Sequence, residues 1–135
     1  MVALSGPRMT DARPGDRRSP PVKANTKIWQ GSQVAIDATG FAVPAAAVAA
    51  HKVIGRAEDT VDNTDGANGD KRVDVGRGVF RWDNSASTDE ITRADIGASA
   101  YVVDDQTVAK TSSSNTRPVA GTIFDVDAQG VWVRV

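Results

Sequence analysis

From Lys23 onward the chain alternates short runs rich in Val, Ile, Thr and aromatic residues with clusters of Gly, Asn, Asp and Ser. Runs of this length and spacing predict the strands of a β-sandwich or barrel. Lys27–Trp29 is one short run. Gln33–Asp37 alternates with period two and points Val34 inward; Ala38-Thr39-Gly40 then turns the chain into Phe41–Val43, a hairpin. Val53–Ala57 is the next strand. It leads into Asp62–Asp70, almost wholly turn-forming residues and therefore a polar, mobile loop.

Arg72–Trp82 predicts one long strand. Neither of its parities is cleanly apolar, which places a face-switching bulge at Gly76 or Gly78. A single helical turn is expected over Ile91–Ile96, capped by Thr88 or Asp89. Ala100–Val103 and Thr107–Lys110 flank a tight turn at Asp104–Gln106, and Ser112–Thr116 is a second polar loop. Val119–Val126 and Val131–Val135 form the last hairpin, with Val131, Val133 and Val135 on the core face. Trp132 has the opposite parity. An outward Trp on a sheet marks a partner surface, whereas Trp29, Phe41, Phe80, Trp82, Tyr101 and Phe124 are expected mostly in the core.

Residues 1–22 break this pattern. Pro7, Pro14, Pro20, Pro21, Gly6 and Gly15 interrupt any regular element, and large apolar residues are scarce. Such a segment buries too little surface to offset its ordering entropy. The division is therefore an extended arm, 1–22, and one β-domain, 23–135. Charge sharpens the contrast: residues 1–27 hold six basic side chains against two acidic ones, although the chain of 135 residues has a net charge of −1. A basic arm carrying Arg8, Arg13, Arg17 and Arg18 on an acidic body suits an acidic partner surface.

No run approaches the ~18 apolar residues of a membrane-spanning helix, and the start of the chain lacks a secretory apolar segment. The chain has no cysteine, which removes thiol catalysis, thiolate metal sites and disulfides together.

The candidate chemistry is sparse. His51 is the only histidine, and no Gly-x-Ser-x-Gly turn accompanies it. Asp125-Val126-Asp127-Ala128-Gln129-Gly130 matches the first half of a calcium loop, but Val131–Val135 reads as a strand and not as a helix, so the stretch is expected to be a hairpin turn. The Asp62–Asp70 loop fails the same pattern. No phosphate-binding glycine loop occurs, and the arm offers no aromatic side chain on which a base could stack. No catalytic, cofactor or metal residue is assigned, and nucleic acid is not an expected partner.

Lys27-Ile28-Trp29, the run Val53 to Asn63, Arg77-Gly78-Val79-Phe80-Arg81, Asp95-Ile96-Gly97 with Tyr101 to Val108, and the ending Gly121 to Val135 together resemble the capsid cement, or decoration, proteins of tailed phages and prophages. The resemblance spans about residues 23–135. It implies a jelly-roll-like β-sandwich with no catalytic residues, bound outside the head to the major capsid protein. It also implies homodimers at two-fold positions that bridge neighbouring capsomers, in virions assembled in the host cytoplasm. The competing expectation is a receptor- or carbohydrate-binding β-module of a fibre or baseplate, using Trp132 and the Asp62–Asp70 loop.

Overall fold

Two sheets form from two consecutive stretches of chain, as described for residues 2–135 by the computed structural model. The first stretch holds β1 (Arg17–Arg18), β2 (Thr26–Ile28), β3 (Gln33–Ile36), β4 (Ala42–Pro44), β5 (Lys52–Ala57), β6 (Val61–Asn63) and β7 (Val75–Gly76). The second holds β8 (Val79–Trp82), β9 (Ser99–Val102), β10 (Val108–Ala109), β11 (Val119–Asp127) and β12 (Gly130–Arg134). Sheet I has the order β1-β7-β5-β3-β4, sheet II the order β10-β9-β11-β12-β8, and β2 pairs with β6 as a separate ribbon. All these pairings are antiparallel.

The chain is an all-β sandwich. A jelly roll passes strands back and forth between its sheets; here β1–β7 make sheet I and the β2–β6 ribbon, and β8–β12 make sheet II. The switch occurs at Arg77-Gly78. The single long strand expected over Arg72–Trp82 is therefore two strands, and the glycines change sheets where a change of face was expected.

Sheet I is covered on both sides, which explains why Gln33, Val34 and Ala35 on β3 are all buried. Ala35, Val43 and Ala45 face sheet II and join Trp82, Ile91, Val102, Val108, Ile123, Val131 and Val133 in one core. Val34, Ala42, Ile54, Ala57 and Val75 face the other way, onto Ile28 and Val61 of the ribbon and onto Val22. Both sheets also curl. Val22 bridges Ala42 at one margin of sheet I, and Asp83 bridges Thr107 between the outer strands of sheet II. Such closure limits the backbone left open at sheet edges.

The arm boundary shifts with this arrangement. Residues 16–22, assigned to the arm by composition, run along the sheet. Arg17 and Arg18 pair with Gly76 and Val75, the Arg77 N–H donates to the Asp16 carbonyl at 2.9 Å, and the Val22 N–H donates to the Lys71 carbonyl at 2.8 Å. Residues 2–15 lie outside every strand.

The Asp62–Asp70 loop is fastened rather than loose. Asn63, almost fully buried, donates from Nδ2 to the carbonyls of Lys23 at 2.9 Å and Ala67 at 3.0 Å. Asn68 Oδ1 accepts from the Ala24 N–H at 2.8 Å. The helical turn is a 3-10 turn at Arg93–Asp95. Its N-terminus is set by Thr92, whose N–H donates to Asp95 Oδ2 at 2.8 Å, and not by Thr88 or Asp89. Those two belong to a separate turn at Ser87–Asp89.

One buried carboxylate organises the β3–β4 hairpin. Asp37 accepts from Lys23 Nζ at 2.8 Å, Thr39 Oγ1 at 2.7 Å, and the N–H groups of Thr39 at 2.9 Å and Phe41 at 3.1 Å. The Lys23 ammonium, helped by those Thr39 and Phe41 donors against the cost of burial, holds its carboxyl far below the ordinary range. A carboxyl depressed in the folded state contributes stability that is complete above its unfolded value of ~3.9 and lost as pH falls. Asp37→Ala is expected to cost on the order of 3 kcal/mol at pH 7, with stranded N–H donors as the main cause. The difference from wild type should shrink between about pH 5 and pH 2, as read by urea denaturation across that range.

Candidate partner-binding surfaces

Parity on β12 decides the outward face of sheet II. Val131 and Val133 are fully buried, so Trp132 between them turns outward, where it is half-buried. Its indole Nε1–H donates to Asp127 Oδ2 at 2.9 Å. Asp127 Oδ1 accepts from the N–H groups of Gln129 and Gly130 at 2.8 and 3.1 Å. The Asp127 carboxylate is thus occupied in closing the β11–β12 hairpin, and the Trp132 N–H does most to hold it below the ordinary carboxylate range.

Arg81 lies directly across from Trp132 on β8, its guanidinium 5.6 Å from the ring centre, and it donates to Gln129 Oε1 at 2.9 Å. Farther along, Arg134 lies 4.9 Å from the ring of Phe124, which is 50% exposed. Two arginine–aromatic pairs therefore occupy one solvent-facing sheet surface.

Trp132 is the outward aromatic residue the parity foretold. Of the other aromatics, Trp82 is buried in the core and Phe80 packs against it; the rest depart from the core expectation. Trp29 is 58% exposed and carries Lys27 Nζ 3.8 Å from its ring centre, while Phe41, Phe80 and Tyr101 are half-buried. Phe124 faces solvent because β11 is irregular twice, between Val119 and Gly121 and between Ile123 and Asp125. Each irregularity shifts parity, which strict alternation cannot foresee.

The four arginines of the amino-terminal region separate into two groups. Arg8 and Arg13 lie on the exposed, irregular segment, whereas Arg17 and Arg18 lie on β1 at the margin of sheet I. Arg17 approaches Glu58 at 3.9 Å. Positive charge is thus fixed at a sheet edge as well as carried on the arm, and nothing brings these arginines to Trp132. The Asp62–Asp70 loop is likewise apart from Trp132, bonded instead to residues 22–25.

His51 precedes β5 and lines a cleft of about 520 Å³ between the two sheets. Its Nδ1 is sealed from solvent without a partner. Burial lowers its pKa, the Asp37 charge opposing and the Lys23 charge assisting. The neutral tautomer that leaves Nδ1 as a bare acceptor avoids stranding a buried N–H, so the proton belongs on Nε2. The other wall includes Ser112 and Asn115, from a loop in which Ser113, Ser114 and Asn115 all adopt left-handed backbone conformations, each strained by about 1 kcal/mol or more for a non-glycine residue. The Ser112 carbonyl holds that loop by accepting from the N–H groups of Thr116 and Arg117, both at 3.0 Å. Sequence reading singled out His51 alone here; nothing local in Ser112–Pro118 signals that it faces β5.

Among the described residues no group of three or more His, Asp or Glu side chains is placed to hold a metal ion, and no helix is long and apolar enough to cross a membrane. No family model, curated protein or solved structure matches the chain.

Proposed function

We propose that this protein is a capsid cement protein. It binds the outside of a tailed-phage head, contacts the major capsid protein and bridges neighbouring capsomers, acting as a homodimer at two-fold positions. The observation that carries the reading is the outward face of sheet II. Trp and Arg dominate binding hot spots, and here Trp132, Arg81, Phe124 and Arg134 share the outward face of that sheet. The resemblance to cement proteins over residues 23–135 supports the same partner. A clamp of this kind works through many copies, so modest affinity per copy suffices.

Purified protein is expected to bind expanded heads that lack it and to raise their resistance to heat; failure to associate with heads or capsomers refutes the proposal. Trp132→Ala should weaken that attachment at least tenfold in co-sedimentation, the effect of a hot-spot residue, while leaving the thermal midpoint within a few degrees.

A glycan-binding reading has one observation of its own. Exposed Trp29 borders a hollow lined by Gln30, Ser32, Asp105 and Gln106, an aromatic platform beside polar groups. A saturable glycan-array signal abolished by Trp29→Ala, with no head binding, would favour it.

A further inference from the structure

We infer that the inter-sheet cleft beside His51 is a recognition site for a carboxylate side chain presented on an apolar, extended segment of a protein partner. Its polar lining is His51, Lys52, Tyr101, Ser112, Asn115 and Arg117, two of them cationic and each able to donate a hydrogen bond. No Asp or Glu lines it. Lys52 is exposed and forms no ion pair among the described residues. Arg117 donates from Nη1 to Asp89 and to the Thr111 carbonyl, both at 3.2 Å, which fixes its guanidinium. A preorganised donor set of one sign is what a carboxylate needs for charge-assisted hydrogen bonds.

The apolar part of the site selects a peptide over a bare anion. Val53 and Pro118 contribute to the lining. Val119, 50% exposed, also lines it and is among the few large apolar side chains the folded body leaves in solvent. A small inorganic anion would leave those surfaces wet; a Glu or Asp flanked by aliphatic residues covers them. The left-handed Ser113–Asn115 loop fits this role, because strained backbone is retained where it positions groups for binding.

The inference rests on the proposed function only in taking the partner to be a protein, and its test uses the isolated full-length chain. Nitrogen-15-labelled protein is titrated with N-acetyl-Leu-Glu-Leu-amide, with its glutamine counterpart and with inorganic phosphate. Saturable amide shifts at Lys52, Val53, Asn115–Arg117 and Val119 are expected with the glutamate peptide. The glutamine peptide, and the glutamate peptide on Lys52→Glu, should bind at least tenfold more weakly. Lys52 is exposed, and an unchanged spectrum elsewhere certifies that the variant is folded. Absent shifts, equal shifts with both peptides, or phosphate binding as tightly as the peptide would each overturn the inference. Protein that binds heads but not the peptide refutes the cleft alone; protein that binds the peptide but not heads refutes the cement reading alone.

Discussion

Removing residues 1–15 is expected to leave folding stability unchanged within about 0.5 kcal/mol, whereas removing residues 1–22 is expected to cost about 4 kcal/mol or more. The seven residues between these endpoints are part of the fold. Val22 is fully buried in the second core, and losing a Val side chain from such a site costs roughly 2 kcal/mol in transfer and cavity terms. The backbone loss is larger. The N–H groups of Ala42, Gly69 and Val73 donate to the carbonyls of Pro21, Val22 and Pro20 at 2.8, 2.9 and 3.2 Å. All three would lose their acceptors, at about 1 kcal/mol or more each where water cannot replace them. Urea denaturation of the two truncations, read by tryptophan fluorescence, checks the contrast. A shorter truncation that unfolds, or a longer one that stays native, would refute this account of the boundary. For head binding, the 1–15 truncation is consequently the one that isolates the arm. It keeps Arg17 and Arg18 on β1 and removes Arg8 and Arg13.

Composition misplaced this boundary for a physical reason. Pro20 and Pro21 lack N–H groups and read as breakers, yet sheet I uses their carbonyls, and a residue on a sheet margin can lack a donor without harm. The same blindness to partners explains the other departures. Short runs rich in Val, Ile, Thr and aromatic residues identified β3, β4, β5, β9, β11 and β12, because each strand's own side chains carry that signal. β6 was lost inside the Asp62–Asp70 region, since Val61-Asp62-Asn63 is short and its Asn63 is buried only by bonds to the distant residues 22–23. Gly76 and Gly78 marked a break correctly, but a sequence does not say whether a chain that breaks will bulge or change sheets.

Surfaces were legible to the extent that a single strand determines them. Trp132 followed from the parity of Val131 and Val133. Arg81 did not, because its place beside Trp132 depends on the β8–β12 register. The His51 cleft needed three separated stretches, residues 49–53, Tyr101 and 112–119, to be brought together. No spacing rule connects those. Its donor character emerges only when the lining is assembled and proves to contain no carboxylate.

Register also determines where the fold has no tolerance, and Gly55→Ala is expected to show it with a loss of 3 kcal/mol or more. Gly55 lies on β5 opposite Val34, where the β3–β5 register slips by one residue, at a φ of +149°. A Cβ at this position would be driven into the backbone carbonyl oxygen of Gly76 on the neighbouring strand and would come within 2.9 Å of Val75 Cγ1. Neither obstacle is the free end of a flexible side chain. Relief requires β5 and β7 to separate, and β7 is the strand that carries β1 on its other side. Strained backbone and overpacking therefore add at one site. Gly97→Ala provides the comparison: its φ is +95°, but no atom outside its immediate chain neighbours lies within 4 Å of the added Cβ. That substitution should cost about 1 kcal/mol from backbone conformation alone. Equilibrium urea unfolding of both variants separates the two contributions. A Gly55→Ala chain as stable as Gly97→Ala would mean that β5 and β7 do not approach as closely in solution as the β-bulge requires.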